Sequence, residues 1–312
     1  MNCQEMKNID LANYPELFYG TISPTRRVPE SILKYCADTP RWLVRAQCLS
    51  GVQIKFFTDA EILSWECEFG EAAREVYTTD IFIDQQLFTL NGPQKHTLQL
   101  AAGRKKVVIH LPHLVMLKNY SLQLNSQATL EALERNQPKL LICGDSILQG
   151  MTCSSPSRAS VAIAAEALNM ELHNTAIGGV IMDDKLVAAA LEIDADVVVT
   201  GLGVNDTTHG TSLDVFRRRT VESLRRLAEY GKPALVITPI PTTRSELEDQ
   251  RKVLADIIRK EVQNFPALTL LDGDSFFPQD DELLCDKLHP NDKGMQVYAA
   301  ALIQTLQKLC KR

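Results

Sequence analysis

The sequence predicts an α/β protein in two parts, a jelly-roll-like β-sandwich followed by a three-layer α/β/α domain with a five-stranded parallel sheet. Three observations lead to this prediction. Short segments of alternating apolar and polar residues dominate the first 135 residues, strand-like and helix-like segments alternate beyond Pro138, and a polar stretch over residues 126–137 separates the two regions. Alternating strands and helices are typical of a parallel sheet covered on both sides. We therefore expect domains over residues 1–135 and 136–312.

The first region reads as a series of short strands. In the segment 63–69 (LSWECEF) apolar and polar side chains alternate, which is typical of a strand with one buried face. Turn signals at residues 91–93 (NGP) and 102–103 (AG) separate the segments. The predicted strands cover residues 52–57, 63–69, 80–90, 96–100, 106–111 and 120–124. Short strands at regular spacing favour a β-sandwich or jelly roll.

The segment between the two regions is not a typical flexible linker. Residues 126–137 contain Leu130 and Leu133 and no glycine, whereas a freely tethered module usually has a Gly/Ser- or Pro-rich linker. We therefore expect the sandwich to pack firmly on the second domain and to border the acceptor side of its site.

The second region alternates strands with helices. The predicted strands cover residues 139–143, 171–176, 196–200, 234–238 and 268–271. The predicted helices cover residues 157–168, 182–192, 212–230, 245–263 and 291–309. The third helix begins at a capping-box-like sequence, 211–214 (TSLD), and ends at Gly231. Its apolar stripe at helical spacing is interpreted as core and comprises Phe216, Thr220, Leu224 and Leu227.

Composition limits the possible partners. The chain has 312 residues, 45% of them hydrophobic and 23% charged, which is ordinary for a globular protein. A net charge of −6 does not indicate the basic surface that nucleic-acid binding requires. The basic runs 104–106 and 217–219 are most simply interpreted as solvent-exposed. No apolar stretch reaches the roughly 18 residues of a membrane span, and the N-terminus has no signal-peptide pattern. We expect no membrane partner and a cytoplasmic location, and the oligomeric state stays open.

The cysteines are interpreted as reduced and mostly structural. The eight cysteines, at positions 3, 36, 48, 67, 143, 153, 285 and 310, form no C-x-x-C pair and no metal-like cluster with histidine. This usage is consistent with a cytosolic protein. Cys153 and Cys285 flank the candidate site described next, where modification of either is expected to block it.

The most informative motif is residues 144–148 (GDSIL), which follow the apolar run 140–143 (LLIC). A serine at this junction is expected on a tight strand-to-helix turn, with its backbone N–H near the positive end of the following helix. That is the setting of a nucleophilic serine. A lone Gly-Asp-Ser is also common in ordinary turns. A G-x-S-x-G hydrolase is excluded, because Leu148 stands where its second glycine belongs.

Three further blocks follow in order, two of them directly after strand-like segments. They are 174–179 (NTAIGG), 201–206 (GLGVND) and 285–291 (CDKLHPN). A serine hydroxyl is a poor nucleophile until an imidazole takes its proton, and the imidazole needs a partner that fixes its tautomer. Asp286 and His289 are three residues apart, so one short loop can present both side chains toward Ser146. Taken alone, His289 before Pro290 is also consistent with the start of the last helix, and Asp206 is also consistent with a helix cap.

Together the four blocks resemble the GDSL or SGNH hydrolase family, named for its Ser, Gly, Asn and His. The resemblance covers the chain from about Pro138 to the end, and Ile147 replaces the usual leucine. It implies that Ser146 is the nucleophile, His289 the general base and Asp286 the residue that orients the base. It further implies an oxyanion hole formed by the backbone N–H groups of Ser146 and Gly179 and the side-chain amide of Asn205. It implies no metal and no organic cofactor.

The order of a sandwich and an SGNH domain is similar to that of carbohydrate esterases of the CE2 type. The resemblance implies an esterase that removes a short acyl group, in particular acetyl, from a sugar or a similar small polar alcohol. Two alternatives stay open. One is a lysophospholipase or thioesterase, with an apolar groove lined by residues 276–277 (FF) and 283–284 (LL), and the other is an inactive sugar-binding protein. Neither Trp42 nor Trp65 lies in the catalytic half, so no aromatic sugar platform is expected there.

Overall fold

The structure, a computed structural model of the chain, describes residues 5–24 and 26–311. Cys3 lies outside these residues. The cysteines at positions 36, 48, 67, 143, 153, 285 and 310 are free thiols, and the first five of them are buried. Among the described residues no helix combines the length and the apolar character that a membrane crossing requires.

Two antiparallel sheets form the predicted sandwich. Their strands are β1 (Met6–Ile9), β2 (Phe18–Tyr19), β3 (Gln53–Thr58), β4 (Ile62–Ala72), β5 (Thr78–Ile83), β6 (Gln86–Asn91), β7 (His96–Gln99), β8 (Lys105–His110), β9 (Val115–Asn125) and β10 (Glu131–Ala132). One sheet has the order β1-β9-β4-β7, and the other has the order β10-β3-β8-β5-β6, with β2 paired to β3. Trp65 of β4 is fully buried in the apolar core of this region, and its indole N–H donates to Thr79 Oγ1 at 3.2 Å.

The strand predicted at residues 80–90 is instead a hairpin of β5 and β6. The chain reverses at Asp84, whose φ of 52° is unusual for a residue other than glycine. The Oδ1 atom of Asp84 accepts the backbone N–H of Lys106 at 2.9 Å, which ties the turn to β8. No glycine or proline marks this reversal in the sequence, and the alternating pattern runs on into both strands.

The second region forms the predicted α/β/α arrangement. Its strands are β11 (Lys139–Gly144), β12 (Glu171–Asn174), β13 (Val197–Gly201), β14 (Ala234–Ile237) and β15 (Leu268–Leu271). They form one parallel sheet in the order β12-β11-β13-β14-β15. The helices of this region, together with the two that lie between β2 and β3, are α1 (Glu30–Cys36), α2 (Pro40–Gln47), α3 (Ser146–Gln149), α4 (Ser160–Ala167), α5 (Asp184–Ala190), α6 (Leu213–Glu229), α7 (Ser245–Val262), α8 (Gly273–Phe276) and α9 (Asp292–Leu309).

Each face of the parallel sheet has its own apolar core. Helices α4 and α9 cover one face, and α5, α6 and α7 cover the other. The predicted stripe of α6 is buried in the second of these layers, as expected for core. Ser212 caps α6 through a hydrogen bond from the Val215 N–H, and Gly231 follows the helix with a φ of 73°.

Helices α1 and α2 are absent from the sequence-based prediction. They lie between β2 and β3 in the chain, yet their buried residues belong to the core of the parallel sheet rather than to that of the sandwich. Ile32 and Cys36 of α1 pack in the layer that contains α5. Helices of seven and eight residues carry a weak local signal, because tertiary packing supplies most of their stability. The domain boundary near residue 135 stays a prediction.

Buried polar contacts connect the two regions. The guanidinium of Arg27 is buried and donates to the carbonyl oxygens of Cys48, Arg45, Asn174 and Ala176. The carboxylate of Asp80 in β5 accepts both the backbone N–H and the hydroxyl of Ser157, which precedes α4. Such contacts fix the sandwich against the parallel-sheet region.

Candidate active site

The serine turn lies at the carboxyl end of β11, an interior strand of the parallel sheet. Asp145 caps α3 by accepting the Ile147 N–H at 3.0 Å, and Ser146 is the first residue of the helix. The helix has only four residues and ends at Gly150, whose φ is 79°. Since the helix dipole sums over aligned peptides, a helix of one turn contributes less positive potential at Ser146 than a long helix does. The turn itself, rather than a long helix, places the hydroxyl.

Ser146, His289 and Asp286 form a continuous hydrogen-bonded chain. Ser146 Oγ lies 2.8 Å from His289 Nε2, and His289 Nδ1 lies 2.8 Å from Asp286 Oδ2. The Oδ1 atom of Asp286 also accepts the backbone N–H groups of His289 and Leu288, at 2.8 and 3.2 Å. Lys287 has a φ of 66°, and this left-handed residue turns the loop so that Asp286 and His289 face each other.

The environment keeps Asp286 ionised. Burial raises the pKa of this carboxyl, but the hydrogen bonds from the His289 ring and backbone outweigh that effect, and the pKa lies well below its usual range. Arg244 contributes positive charge, with one guanidinium nitrogen 4.0 Å from Asp286 Oδ2. An ionised carboxylate accepts the Nδ1 proton and leaves Nε2 free to accept the serine proton.

The loop that carries Asp286 and His289 is held at several points. The guanidinium of Arg244 donates twice to the carbonyl oxygen of Asp286, at 3.0 and 3.1 Å. The backbone N–H of Thr243 donates to the Lys287 carbonyl at 2.9 Å, and the Thr152 hydroxyl donates to the Pro290 carbonyl at 2.7 Å. Thr152 follows the serine turn closely, so the loop is tied directly to that turn.

Gly179 and Asn205 lie on neighbouring turns after β12 and β13. Gly179 has a φ of 86°, a left-handed conformation that favours glycine. The side-chain amide of Asn205 donates to the Val180 carbonyl at 2.8 Å, which places the amide next to the glycine turn and leaves its second N–H free for another acceptor. Asp206 joins the same two turns, because its Oδ2 atom accepts the Met182 N–H at 2.8 Å.

Gln149, which the sequence did not indicate, connects the serine turn to the glycine turn. Its side chain is fully buried, and its amide oxygen accepts the Gly178 N–H at 2.7 Å. Its amide nitrogen donates to the Arg45 carbonyl at 2.8 Å. A glutamine directly after two apolar residues, Ile147 and Leu148, was the available signal, and the partners of its side chain are distant in sequence.

Helix α2 brings two unpredicted side chains to the glycine turn. Arg45 Nη1 donates to the Gly178 carbonyl at 2.7 Å. A Cβ atom added to Gly179 would lie 2.6 Å from Arg45 Nη1 and 3.2 Å from Trp42 Nε1. Trp42 lies outside the catalytic half of the sequence, yet its indole nitrogen is next to the glycine turn. The Trp42 ring is stacked on the Tyr35 ring, with 6.0 Å between centroids. Its position in the first region of the sequence did not indicate that α2 packs on the core of the second region.

The apolar pairs at 276–277 and 283–284, considered from the sequence as the lining of an acyl groove, are part of the core instead. Phe277 and Leu284 are buried at 2% and 6% exposure, and Phe276 and Leu283 pack against the same core. Phe276 lies edge-on to the Tyr298 ring of α9, with 5.0 Å between centroids. Cys153 is buried and Cys285 is exposed, so only Cys285 is open to a modifying reagent.

Comparison with solved structures shows the same fold in proteins of low sequence identity. A protein described as a GDSL-like lipase from Bacteroides ovatus matches with a TM-score of 0.83 and 20% identity over 98% of both chains. The salicylyl-acyltransferase SsfX3 from a tetracycline biosynthetic pathway matches with a TM-score of 0.76 and 20% identity, also over 98% of both chains. A family two carbohydrate esterase from Cellvibrio japonicus matches with a TM-score of 0.63 and 16% identity, over 85% of this chain and 90% of that one.

The search of curated protein sequences gave no match. The model of the GDSL-like lipase/acylhydrolase family matches residues 142–297, which is half of the chain. The match begins in β11, just before the serine turn, and ends in α9, beyond His289, so it includes the serine, glycine, asparagine and histidine turns described above. The chain therefore belongs to the GDSL-like lipase/acylhydrolase family and is an ester hydrolase of that family.

Proposed function

We propose that the protein is a serine esterase that removes a short acyl group, in particular acetyl, from a sugar or another small polar alcohol. The observation that carries the proposal is the chain of hydrogen bonds from Asp286 through His289 to Ser146, with both nitrogen-oxygen distances at 2.8 Å. That arrangement makes a hydroxyl nucleophilic at neutral pH.

Ser146 Oγ attacks the ester carbonyl carbon while His289 Nε2 takes the hydroxyl proton. The resulting oxyanion accepts hydrogen bonds from the backbone N–H groups of Ser146 and Gly179 and from the Asn205 amide. His289 then gives its proton to the leaving alkoxide, which departs as the alcohol. Water, deprotonated by His289, attacks the acyl-enzyme; the bond from the acyl carbon to Ser146 Oγ breaks, His289 returns the proton to Oγ, and the carboxylic acid is released. Asp286 stays ionised throughout and holds the imidazole in orientation.

Two features favour a short acyl group. The phenylalanine and leucine pairs that a long acyl chain would contact are packed in the core, and Trp42 and Arg45 occupy the space over Gly179. The resemblance to CE2 esterases supports a sugar as the alcohol. A lysophospholipid or thioester substrate remains the alternative within the family, and the intact hydrogen-bonded chain argues against a purely sugar-binding role.

We also propose that the structural units divide near residue 135, with residues 28–46 of the first unit forming part of the second unit's core. The separate apolar cores of the sandwich and the parallel sheet support this division. The free thiols at the seven described cysteine positions support a reducing location such as the cytoplasm.

Hydrolysis of p-nitrophenyl acetate, butanoate and octanoate, together with acetylated sugars, tests this function. We expect the highest kcat/KM for acetate and covalent labelling of Ser146 by a fluorophosphonate probe, with Ser146→Ala as the unlabelled control. A preference for octanoate favours the lipid or thioester alternative. If the protein shows no labelling and no hydrolysis, it only binds its ligand.

A further inference from the structure

Two arginines of α2 face the proposed oxyanion side of the site. Arg41 and Arg45 are four residues apart and so share one face of the helix. Arg45 contacts the glycine turn through the Gly178 carbonyl. Arg41 Nη2 lies 3.4 Å from His209 Nε2, and His209 Nδ1 lies 2.7 Å from the Asn205 carbonyl. The two guanidinium groups therefore flank the residues proposed to bind the oxyanion.

A third arginine, Arg74, adds to the same positive region. Burial lowers the pKa of Arg45, and the charges of Arg41 and Arg74 lower it further, so all three lie within electrostatic range. Burial raises the pKa of Cys285, and the charge of Arg74 opposes that rise. Arg74 is therefore within electrostatic range of both Arg45 and Cys285.

No carboxylate forms an ion pair with these three groups in the part of the chain that the structure describes. Within residues 5–24 and 26–311, none of the three guanidiniums has a carboxylate oxygen within 4.0 Å, whereas arginines such as Arg226 and Arg251 meet carboxylates at 3.0 Å or less. Like charges four residues apart on a helix destabilise it. The protein as a whole carries a net charge of −6, so this local excess of positive charge runs against its composition.

The guanidinium of Arg45 also has unused hydrogen-bonding capacity. One of its five N–H donors is occupied by the Gly178 carbonyl. A planar guanidinium with free donors matches a carboxylate or phosphate in a paired geometry. A group bound there would lie beside the ester carbonyl that Ser146 attacks.

Resting on the proposed esterase function, we propose that the substrate is an ester that carries an anionic group, a carboxylate or a phosphate, and that Arg41 and Arg45 bind this group while Arg74 adds to the attraction. The anion offsets the charge repulsion within α2. A neutral ester lacks this contact and reacts with a lower kcat/KM.

Matched pairs of esters test the proposal. On the alcohol side, 4-acetoxybenzoate is compared with 4-acetoxybenzamide, and 4-acetoxyphenyl phosphate distinguishes phosphate from carboxylate. On the acyl side, the mono-p-nitrophenyl ester of succinate is compared with p-nitrophenyl butanoate. We expect at least one anionic ester to exceed its neutral partner about tenfold or more in kcat/KM, given the usual strength of charge-assisted hydrogen bonds. Added salt should reduce this advantage.

Variants assign the effect to the arginines. Arg41→Gln and Arg74→Gln should each reduce the ratio of anionic to neutral kcat/KM, with the larger loss, about tenfold, for Arg41→Gln. Arg218→Gln removes the same charge from an exposed position of α6 and should leave the ratio unchanged. Equal kcat/KM within every pair, or a ratio unaffected by Arg41→Gln, would overturn the proposal.

A binding measurement separates this proposal from the esterase function. Calorimetric titration of Ser146→Ala protein with 4-hydroxybenzoate and 4-hydroxybenzamide, and with inorganic phosphate, needs no turnover. Tighter binding of an anion, weakened by adding Arg41→Gln, supports the proposal even if the neutral esters are not hydrolysed. Absence of any preference for the anions in binding and in turnover rejects it, while hydrolysis of the neutral esters would still support the esterase.

Discussion

The side-chain amide oxygen of Gln149 accepts a hydrogen bond from the backbone N–H of Gly178, at 2.7 Å. The same side chain donates to the Arg45 carbonyl at 2.8 Å. One buried amide thus joins the helix of the serine, the glycine turn and helix α2. We therefore expect the proposed oxyanion donors to keep their geometry only while this amide is in place.

Gln149→Leu should lower kcat for p-nitrophenyl acetate by about tenfold to a hundredfold, because a misplaced group near the chemistry has effects of this size. KM should change little, since Gln149 lies behind the turn. The loss of the side-chain hydrogen bonds with Gly178, Arg45 and Ser50 should also lower Tm. Gln307→Leu, at an exposed position of α9, is the control. A Gln149→Leu enzyme with wild-type kcat would mean that the amide has only a structural role.

Substitutions in the hydrogen-bonded chain should lower turnover in a definite order. Ser146→Ala and His289→Ala should reduce kcat by factors on the order of 10⁵ to 10⁶, and Asp286→Asn by less, because the aspartate orients the base but transfers no proton. Circular dichroism should show that all three variants stay folded. Wild-type turnover by Ser146→Ala would show that the proposed nucleophile is wrong.

Glu171 should stabilise the fold in a pH-dependent way. Burial raises the pKa of this carboxyl, but hydrogen bonding and charge from His173, together with Arg135 and the Gly20 N–H, lower it from 4.5 to about 2. A lowered pKa means that the stabilisation is complete above the unfolded-state pKa and is lost as pH falls toward the folded-state value. At pH 7, Glu171→Gln should therefore cost about 1–3 kcal/mol.

The difference in Tm between wild type and Glu171→Gln should be largest at neutral pH and should shrink as pH falls from about 4.5 toward 2. Thermal unfolding followed by circular dichroism at several pH values measures it. Glu192→Gln, at an exposed position, should show no such dependence. A difference that grows on acidification would contradict the assignment.

Deletion of residues 1–135 should yield an aggregating or much less stable protein. The deletion removes α1 and α2, and with them the cover of part of the parallel-sheet core and the Arg45 contact to the glycine turn. Size-exclusion chromatography and Tm measure the outcome. A soluble, monomeric fragment with full activity on p-nitrophenyl acetate and on an acetylated sugar would show that the sandwich is an independent module.

The sequence predicted the parts of the fold whose signals are local. The parallel-sheet strands and the long helices were predicted within a few residues, since apolar periodicity and caps mark them directly. The turns after β11, β12 and β13 were found because their glycines and polar residues follow apolar runs. These features do not depend on which distant segment packs nearby.

What the sequence missed depends on long-range packing. Helix α2 is short and has no side-chain cap. Its apolar face does not indicate which domain it packs on, so the sequence does not show that Trp42 reaches Gly179. Gln149 contacts residues separated from it by 29 and 104 positions. The phenylalanine pair at 276–277 looked like a groove because sequence alone does not show that α9 covers it.

The four carbonyl contacts of Arg27 have a consequence for protein engineering. Burial lowers the pKa of this guanidinium only to about 10, so it remains charged at neutral pH and needs all its acceptors. Two of those acceptors, Arg45 and Cys48, lie at the carboxyl end of the segment 27–48, and the other two belong to the end of β12 and the turn after it. A chimera that exchanges sandwiches between homologues at residue 135 would separate Arg27 from the turn it was matched to. The unit to be kept together in a chimera is instead the hydrolase domain with residues 27–48. The first region then needs two junctions, one at each end of that segment.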